Sequence, residues 1–187
     1  MEQDFLRNLY NDKYKDEVWR PLVIRPDACS TDRYDDVARL IDNADLKGTL
    51  LEVGCGSDGS FDVIIAIAVL EHVVDLFRIV DEMSRLCRPG GHLVVTVPNI
   101  CYIKNVLALL AGKVPLTGSP NRDIGYWRKN GWDGGHLHNF SKRQLTALLD
   151  EAGFDMVAVT GDGYLAKFRR WSTNLVGNLT VLARRRA

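Results

Sequence analysis

The feature that most constrains this chain is a pair of short apolar runs, Phe61 to Ala68 (FDVIIAIA) and His92 to Val97 (HLVVTV), with one amphipathic stretch between them. A strand with one wet face alternates apolar and polar residues, whereas a strand covered on both faces is apolar nearly throughout, as these two are. Between them Leu70, Val73, Val74, Phe77, Val80 and Leu86 mark one face of a helix, and Asp75, Arg78, Asp81, Glu82 and Arg85 mark the other. Arg85 and Arg88 suit the negative end of the helix dipole, and Pro89-Gly90-Gly91 predicts its stop. Strand, helix and strand at this spacing form a βαβ unit, so the expected core is a parallel sheet in an α/β fold.

The flanks extend this unit in both directions. From Thr31 to Ala44, Tyr34, Val37, Ala38 and Ile41 recur at helical spacing, and Leu46-Lys47-Gly48 breaks the pattern. Thr49 to Val53 reads as a strand running into the tight turn Gly54-Cys55-Gly56. Ile103, Val106, Leu107 and Leu110 predict a further helix. Residues 112–140 lack periodicity and are dense in Gly, Pro, Trp and His, which marks them as a substrate loop or lid. Ser141 opens a capping box with Gln144, Leu145, Leu148 and Leu149 supply the buried face, and Gly153 closes that helix. Phe154 to Thr160 and Leu175 to Leu182 are two last strands, expected to pair as an antiparallel edge. The reading divides the chain into an N-terminal helical or lid segment, 1–48, and one compact α/β unit, 49–187.

With 187 residues, 46% hydrophobic and 26% charged, the chain is long enough to bury one core without disulfide or metal staples. Its formal net charge is zero, but residues 1–62 carry 14 acids against 8 bases and residues 163–187 carry 6 bases and no acid. A basic tail of Lys167, Arg169, Arg170 and Arg184 to Arg186 suits phosphate, an acidic membrane or nucleic acid, or simply complements the acidic N-terminal region. Nucleic acid is not the expected partner, because the rest of the chain is not basic. The first residues are too charged for a signal peptide and no long apolar run follows, so a cytoplasmic location is expected. Cys29, Cys55, Cys87 and Cys101 lie far apart without a Cys-x-x-Cys pair and read as small packing residues.

Several residue groups carry candidate chemistry. His136 and His138, two apart in an extended segment, share a face, as a general base or a metal pair requires, and packing in the loop is the alternative. With no third ligand evident beside them, no metal is expected. Glu71-His72 falls at the expected start of a helix, where a carboxylate is favoured by the dipole alone. Tyr126, Trp127 and Trp132 could wall an apolar or sugar-like substrate or hold the loop down. Tyr10 and Tyr14 share a helical face that could close over a ligand or pack.

The runs LLEVGCGS (50–57), FDVIIAIAVLEHV (61–73), LCRPGGHLVVTVPN (86–99) and GHLHNFSKRQLTALLDEAGF (135–154) together resemble the class I S-adenosylmethionine-dependent methyltransferases, small-molecule branch, which includes quinone-biosynthesis enzymes. The resemblance covers most of residues 49–160 in family order. It implies a Rossmann-like sheet, mostly parallel with an antiparallel edge, and S-adenosylmethionine as cofactor. Glu52, Gly54, Cys55 and Gly56 would line its methionine end, with Ala66, Ile67 and Ala68 facing the same crevice. The implied activity is methyl transfer to an oxygen, second a nitrogen, of a small-molecule acceptor, with His138 as first-choice base and His136 as second. The alternative from another class is a non-catalytic methyltransferase-like subunit that stabilises or regulates a partner.

One departure from the family stands out. Only Ser57, Asp58, Gly59 and Ser60 separate Gly56 from Phe61, where the family usually has several tens of residues forming helix, strand, helix and strand. The resemblance therefore implies an internal deletion that removes the second and third strands, with the acidic residue for the ribose hydroxyls and the loop over the adenine. Residues 54–60 reach at most about 27 Å, which just returns along a strand of roughly 20 Å and leaves nothing for a helix. Three arrangements meet this constraint: a segment additional to the written sequence, a deletion folding as a reduced sheet or exchanging elements with a second copy, and an antiparallel hairpin on Asp58-Gly59. A reduced sheet exposes an apolar edge, which makes a homodimer the expected assembly.

Overall fold

The computed structural model describes residues 33–52, 60–118, 123–163, 165–168 and 171–187. Tyr10, Tyr14, Cys29, Gly54, Cys55 and Gly56 lie outside the described residues. Five strands, β1 (Leu50–Glu52), β2 (Phe61–Ile67), β3 (Cys87–Pro98), β4 (Phe154–Thr160) and β5 (Asn178–Arg185), form one sheet in the order β1-β2-β3-β5-β4. The β1, β2 and β3 strands are mutually parallel, and β5 runs antiparallel to both its neighbours. The last two strands do pair antiparallel at one margin. It is the final strand, however, that inserts beside β3 and leaves β4 at the edge.

The apolar run of β2 has the cause anticipated for it. Val63 and Ile65 point to one face and join Val94 and Leu182 beneath Val37 of helix α1 (Arg33–Asn43). Ile64 and Ala66 point to the other, where Val80, Met83 and Leu86 of α2 (Leu76–Leu86) and Leu145 and Leu149 of α5 (Lys142–Glu151) pack. The capping box on α5 is present in full: Ser141 Oγ accepts from Gln144 N, and the Gln144 side chain reaches back to Ser141 N.

Four local expectations are corrected. The helix of the βαβ unit does not begin near Leu70: residues 70–72 form a turn, and Asp75 caps a helix whose first residue is Leu76. Val74 and Phe77 are 67% and 63% exposed: with the helix starting six residues later, the buried stripe keeps Val80 and Leu86, adds Met83 and leaves Val74 before the helix. Second, Pro89-Gly90-Gly91 lies within β3, which starts at Cys87 and bulges so that Phe61 pairs with Cys87 but Val63 with His92. Third, residues 112–140 contain α4 (Ile124–Asn130), capped by Asp123, and a 3-10 turn, Trp132–Gly135. A seven-residue helix is too short to show periodicity. Between β3 and this region lies α3 (Ile103–Leu110), with Leu107, Leu109 and Leu110 exposed.

Fourth, the hairpin on Asp58-Gly59 is excluded, because Leu50, Leu51 and Glu52 pair in parallel with Val63, Ile64 and Ile65. The short link suffices because β1 is three residues long. With Glu52 level with Ile65, the chain has to return only about 13 Å along the strand to reach Phe61. The start of β1 is pinned as well: the Asp62 carboxylate accepts from Thr49 N at 2.7 Å and from Thr49 Oγ1 at 2.8 Å. Gly48 makes this possible, with φ +117 and a position where a Cβ would sit 2.3 Å from Asp62 Oδ2. Arg88 joins the same carboxylate at 3.1 Å. These partners, the Thr49 amide first, hold the Asp62 carboxyl below its ordinary range.

Among the described residues, three cations of the C-terminal strand and its end find partners within the fold. Arg184 Nε donates to Gly90 O, Arg185 to Cys87 O, and Arg186 pairs with Asp150 at 2.7 Å and Asp155 at 2.9 Å. Lys167 lies 5.0 Å over the Phe168 ring. Cys87 is buried, and desolvation pushes its thiol up to about 11, which suits a packing residue. Among the described residues no helix is long and apolar enough to cross a membrane.

Candidate active site

In an open α/β sheet, ligands collect beyond the carboxyl ends of the parallel strands. Here that rim is formed by Glu52, by Ala66, Ile67 and Ala68 at the end of β2, and by Pro98 and Asn99 at the end of β3. Ala66 is buried, and Ala68 holds φ +55, so β2 ends in an abrupt turn lined by small side chains. The chain then makes the turn Leu70-Glu71-His72, anchored by the fully buried Leu70. Glu71 is 1% exposed and precedes the helix by several residues, so the helix dipole does not explain it.

Residues 135–138 are stitched to this turn. The Glu71 carbonyl accepts from Leu137 N at 2.7 Å and His138 N at 3.2 Å. His138 Nε2 lies 2.8 Å from the Val73 carbonyl, and His72 Nδ1 lies 3.1 Å from the Gly135 carbonyl. Carbonyls only accept, so both ring nitrogens are donors, and the acceptor nitrogen of a neutral ring is Nδ1 in His138 and Nε2 in His72. The two histidines read from the sequence thus come to the rim, but to different partners. His138 sits against Val73, while His136 meets the His72 ring edge-on at 4.7 Å between centroids.

The sequence reading missed the group that holds His136. Asp133 is buried at φ +50, and its carboxylate accepts from Thr117 N, Thr117 Oγ1 and Gly118 N at 2.9, 2.8 and 3.0 Å. Because the Thr117 hydroxyl donates its O–H to Asp133, its oxygen accepts from His136 Nδ1–H at 2.9 Å. Gly118 admits the chain against the ring, since a Cβ there would lie 2.9 Å from His136 Nε2 and 2.0 Å from Asp133 O. The local signal was Trp132-Asp133-Gly134-Gly135: an Asp before two glycines marks a turn that tolerates positive φ. Nothing in the sequence placed Thr117 opposite it.

Thr117 and Gly118 also line a cavity of about 460 Å³ with Pro98, Tyr102, Asn105 and Asn178, at the carboxyl end of β3. Asn99 fixes that corner from within. It is 1% exposed, its Nδ2 donates to Thr173 O and Val176 O at 2.9 and 3.0 Å, and its Oδ1 accepts from Cys101 N. Trp127 and Trp132 pack against each other with ring centroids 4.4 Å apart and planes tilted by 48°, and Trp132 and Tyr126 are exposed.

Residues 57–159 match a family model described as a methyltransferase domain, more than half of the chain. A probable S-adenosylmethionine-dependent methyltransferase of Mycolicibacterium smegmatis is 31% identical over 104 residues, 56% of this chain and 32% of that protein. A ubiquinone biosynthesis O-methyltransferase of Methylobacterium nodulans is 26% identical over 132 residues, 68% of this chain and 47% of that protein. The chain thus spans between about a third and a half of the length of these curated relatives. Among solved structures, the Burkholderia thailandensis 1,6-didemethyltoxoflavin-N1-methyltransferase, with its substrate and S-adenosylhomocysteine bound, superposes with a TM-score of 0.54. It is 14% identical, with 99% of this chain and 87% of that one covered, a likeness of fold.

Proposed function

The chain belongs to the methyltransferase-domain family, whose cofactor is S-adenosylmethionine, and we propose that it transfers a methyl group to an oxygen, second to a nitrogen, of a small-molecule acceptor. The observation that carries this reading is the histidine-bearing segment 135–138, hydrogen-bonded to the Glu71 turn at the carboxyl end of β2 and adjoining the 460 Å³ cavity.

The end of β2 fits the cofactor. Buried Ala66 and half-buried Ala68, the latter turning at positive φ, put small side chains at two positions of the rim where a ligand must approach the backbone. Glu52 is adjacent, because its register partner is Ile65. Among the described residues β1 is the outer strand, so this rim answers to the methionine end alone. S-adenosylmethionine supplies an electrophilic methyl carbon on a sulfonium. What the protein adds is alignment of the acceptor and removal of its proton. In that transfer His138 Nδ1, the nitrogen not committed to the Val73 carbonyl, would take the acceptor's proton. The O-methyltransferase relative supports oxygen, and the Burkholderia N-methyltransferase keeps nitrogen second.

Calorimetric titration with S-adenosylmethionine and S-adenosylhomocysteine tests the reading. Micromolar binding by the wild type, retained in a His136→Ala/His138→Ala double variant that has lost turnover, is the expected outcome. Absence of heat at millimolar ligand with a folded chain would refute it in favour of a non-catalytic subunit.

A further inference from the structure

We propose that Glu71, His72 and His136 form a binding site for a divalent transition-metal ion. One carboxylate and two imidazoles converge there, with a ligand atom from each within 4.8 Å of the others. Around a zinc-like ion, with ligands at about 2.1 Å, tetrahedral donors stand about 3.4 Å apart, so the three need to close by little more than about 1 Å. Small rotations of the half-buried His72 and His136 rings accomplish that. Their present edge-to-face contact at 4.7 Å already brings them together.

Second contacts of the two imidazoles support the assignment independently. A metal-bound histidine characteristically donates its other ring N–H to a carbonyl or carboxylate, which fixes the tautomer and raises the basicity of the ligating nitrogen. His72 does this through Nδ1 to the Gly135 carbonyl at 3.1 Å. His136 does it through Nδ1 to Thr117 Oγ1 at 2.9 Å, and that hydroxyl donates a hydrogen bond to the buried Asp133 carboxylate at 2.8 Å. Both rings are therefore held as the tautomer whose Nε2 carries the lone pair. The Glu71 backbone is tied to Leu137 and His138, so the carboxylate and the rings are positioned as one unit. Two nitrogen donors with one carboxylate favour zinc, cobalt, nickel or iron over calcium, which takes oxygen ligands. Three protein ligands also leave coordination open to an oxygen of the acceptor. That consequence rests on the methyl-transfer reading, whereas ion binding does not. In this assignment His136 is a ligand, and His138 alone is left to take the proton.

Cobalt(II), followed by visible absorption and by calorimetry on the metal-stripped full chain, is the direct probe. Binding of one equivalent is expected. His72→Ala and His136→Ala should each weaken it by about 100-fold or more, and Thr117→Val, which removes the hydroxyl that links His136 to Asp133 while keeping the Thr117 amide, by about 10-fold. Circular dichroism and the unfolding midpoint establish that each variant is folded. Glu71→Gln keeps the buried shape and should also lose binding, so the conclusion does not depend on a truncated side chain. No binding to the folded wild type at about 1 mM cobalt, or wild-type affinity in either histidine variant, overturns the site. Cobalt binding without any heat from S-adenosylhomocysteine leaves the ion site standing and removes methyl transfer. Cofactor heat without cobalt binding does the reverse.

Discussion

Asp133 organises the site from a position that is not itself reactive, and removing its carboxylate should have a measurable cost. Three donors converge on it: the Thr117 amide, the Thr117 hydroxyl and the Gly118 amide, at 2.9, 2.8 and 3.0 Å. A hydrogen bond to a charged acceptor contributes about 1.5–3 kcal/mol when both groups are buried. Asp133 is buried, but Thr117 is half-exposed and Gly118 exposed, so water can replace part of each contact. About 1 kcal/mol per bond is then the reasonable figure, or ~3 kcal/mol for the set. Alanine adds about 1 kcal/mol more, because Asp tolerates φ +50 better than a residue without a short polar side chain. Asp133→Ala should therefore cost about 4 kcal/mol of local stability, and Asp133→Asn, which keeps one acceptor oxygen and the backbone preference, about half that. The assay is amide hydrogen exchange at Thr117 and Gly118 alongside urea unfolding. Exchange at both amides should accelerate by two to three orders of magnitude in Asp133→Ala, even if the 113–118 segment opens without the rest of the fold. Protection within about threefold of wild type at both amides would refute the reasoning, since it would mean that the carboxylate does not hold the loop.

Gly48→Ala should detach the start of β1 at about 2 kcal/mol or more, because the new Cβ would displace Asp62 and the backbone sits at φ +117; urea unfolding reads it. The Asp62 carboxyl is held low, so its contribution is fully present above the ordinary value of 3.8 and lost as pH falls through its lower folded value. The stability difference between wild type and Asp62→Asn should accordingly be constant above about pH 5 and shrink as the solution is acidified below that ordinary value. Asn99→Ala should cost about 2–3 kcal/mol by thermal or urea unfolding, because it removes the side-chain partners of the Val176 carbonyl and the Cys101 amide and one of the two donors on the Thr173 carbonyl. Cys87 should resist iodoacetamide at mildly alkaline pH until the chain unfolds, while half-exposed Cys101 labels in the folded protein; mass mapping of the labelled peptides checks this.

Local and periodic information sufficed for much of the architecture. The β2 and β3 runs are apolar because both of their faces are covered, and that property is written along four to six consecutive residues without reference to anything distant. The α5 capping box is equally local, since its partners stand three residues apart. Helix α2 marks the boundary of such reasoning. Leu70 to Leu86 continues a helical stripe on paper, yet the chain uses Leu70 as a core plug and Asp75 as a cap. Periodicity counts apolar residues, but it does not distinguish those that pack from those that face solvent.

What tertiary structure decided was proximity. The histidines at 136 and 138 could be singled out from their spacing, and the glutamate-histidine pair at 71–72 from its place after a strand. Only the fold brings His136 to His72, 64 positions apart in the chain, and sets Thr117 and Asp133 behind it. The carboxyl end of β2 and the 3-10 turn after α4 meet because the sheet fixes one and the hydrogen bonds to Glu71 fix the other. The direction of β1 was decided in the same way. Asp58-Gly59 favours a hairpin over four residues, but a three-residue strand pinned by Asp62 to Thr49 needs a return of only about 13 Å, so the parallel register prevails. Turn propensity at such a junction amounts to a fraction of a kcal/mol up to about 1 kcal/mol. Strand direction is set by the larger sum of buried side chains, Leu51 of β1 beside Ile64 and Ala66 of β2 on one face and Val63 and Ile65 of β2 on the other.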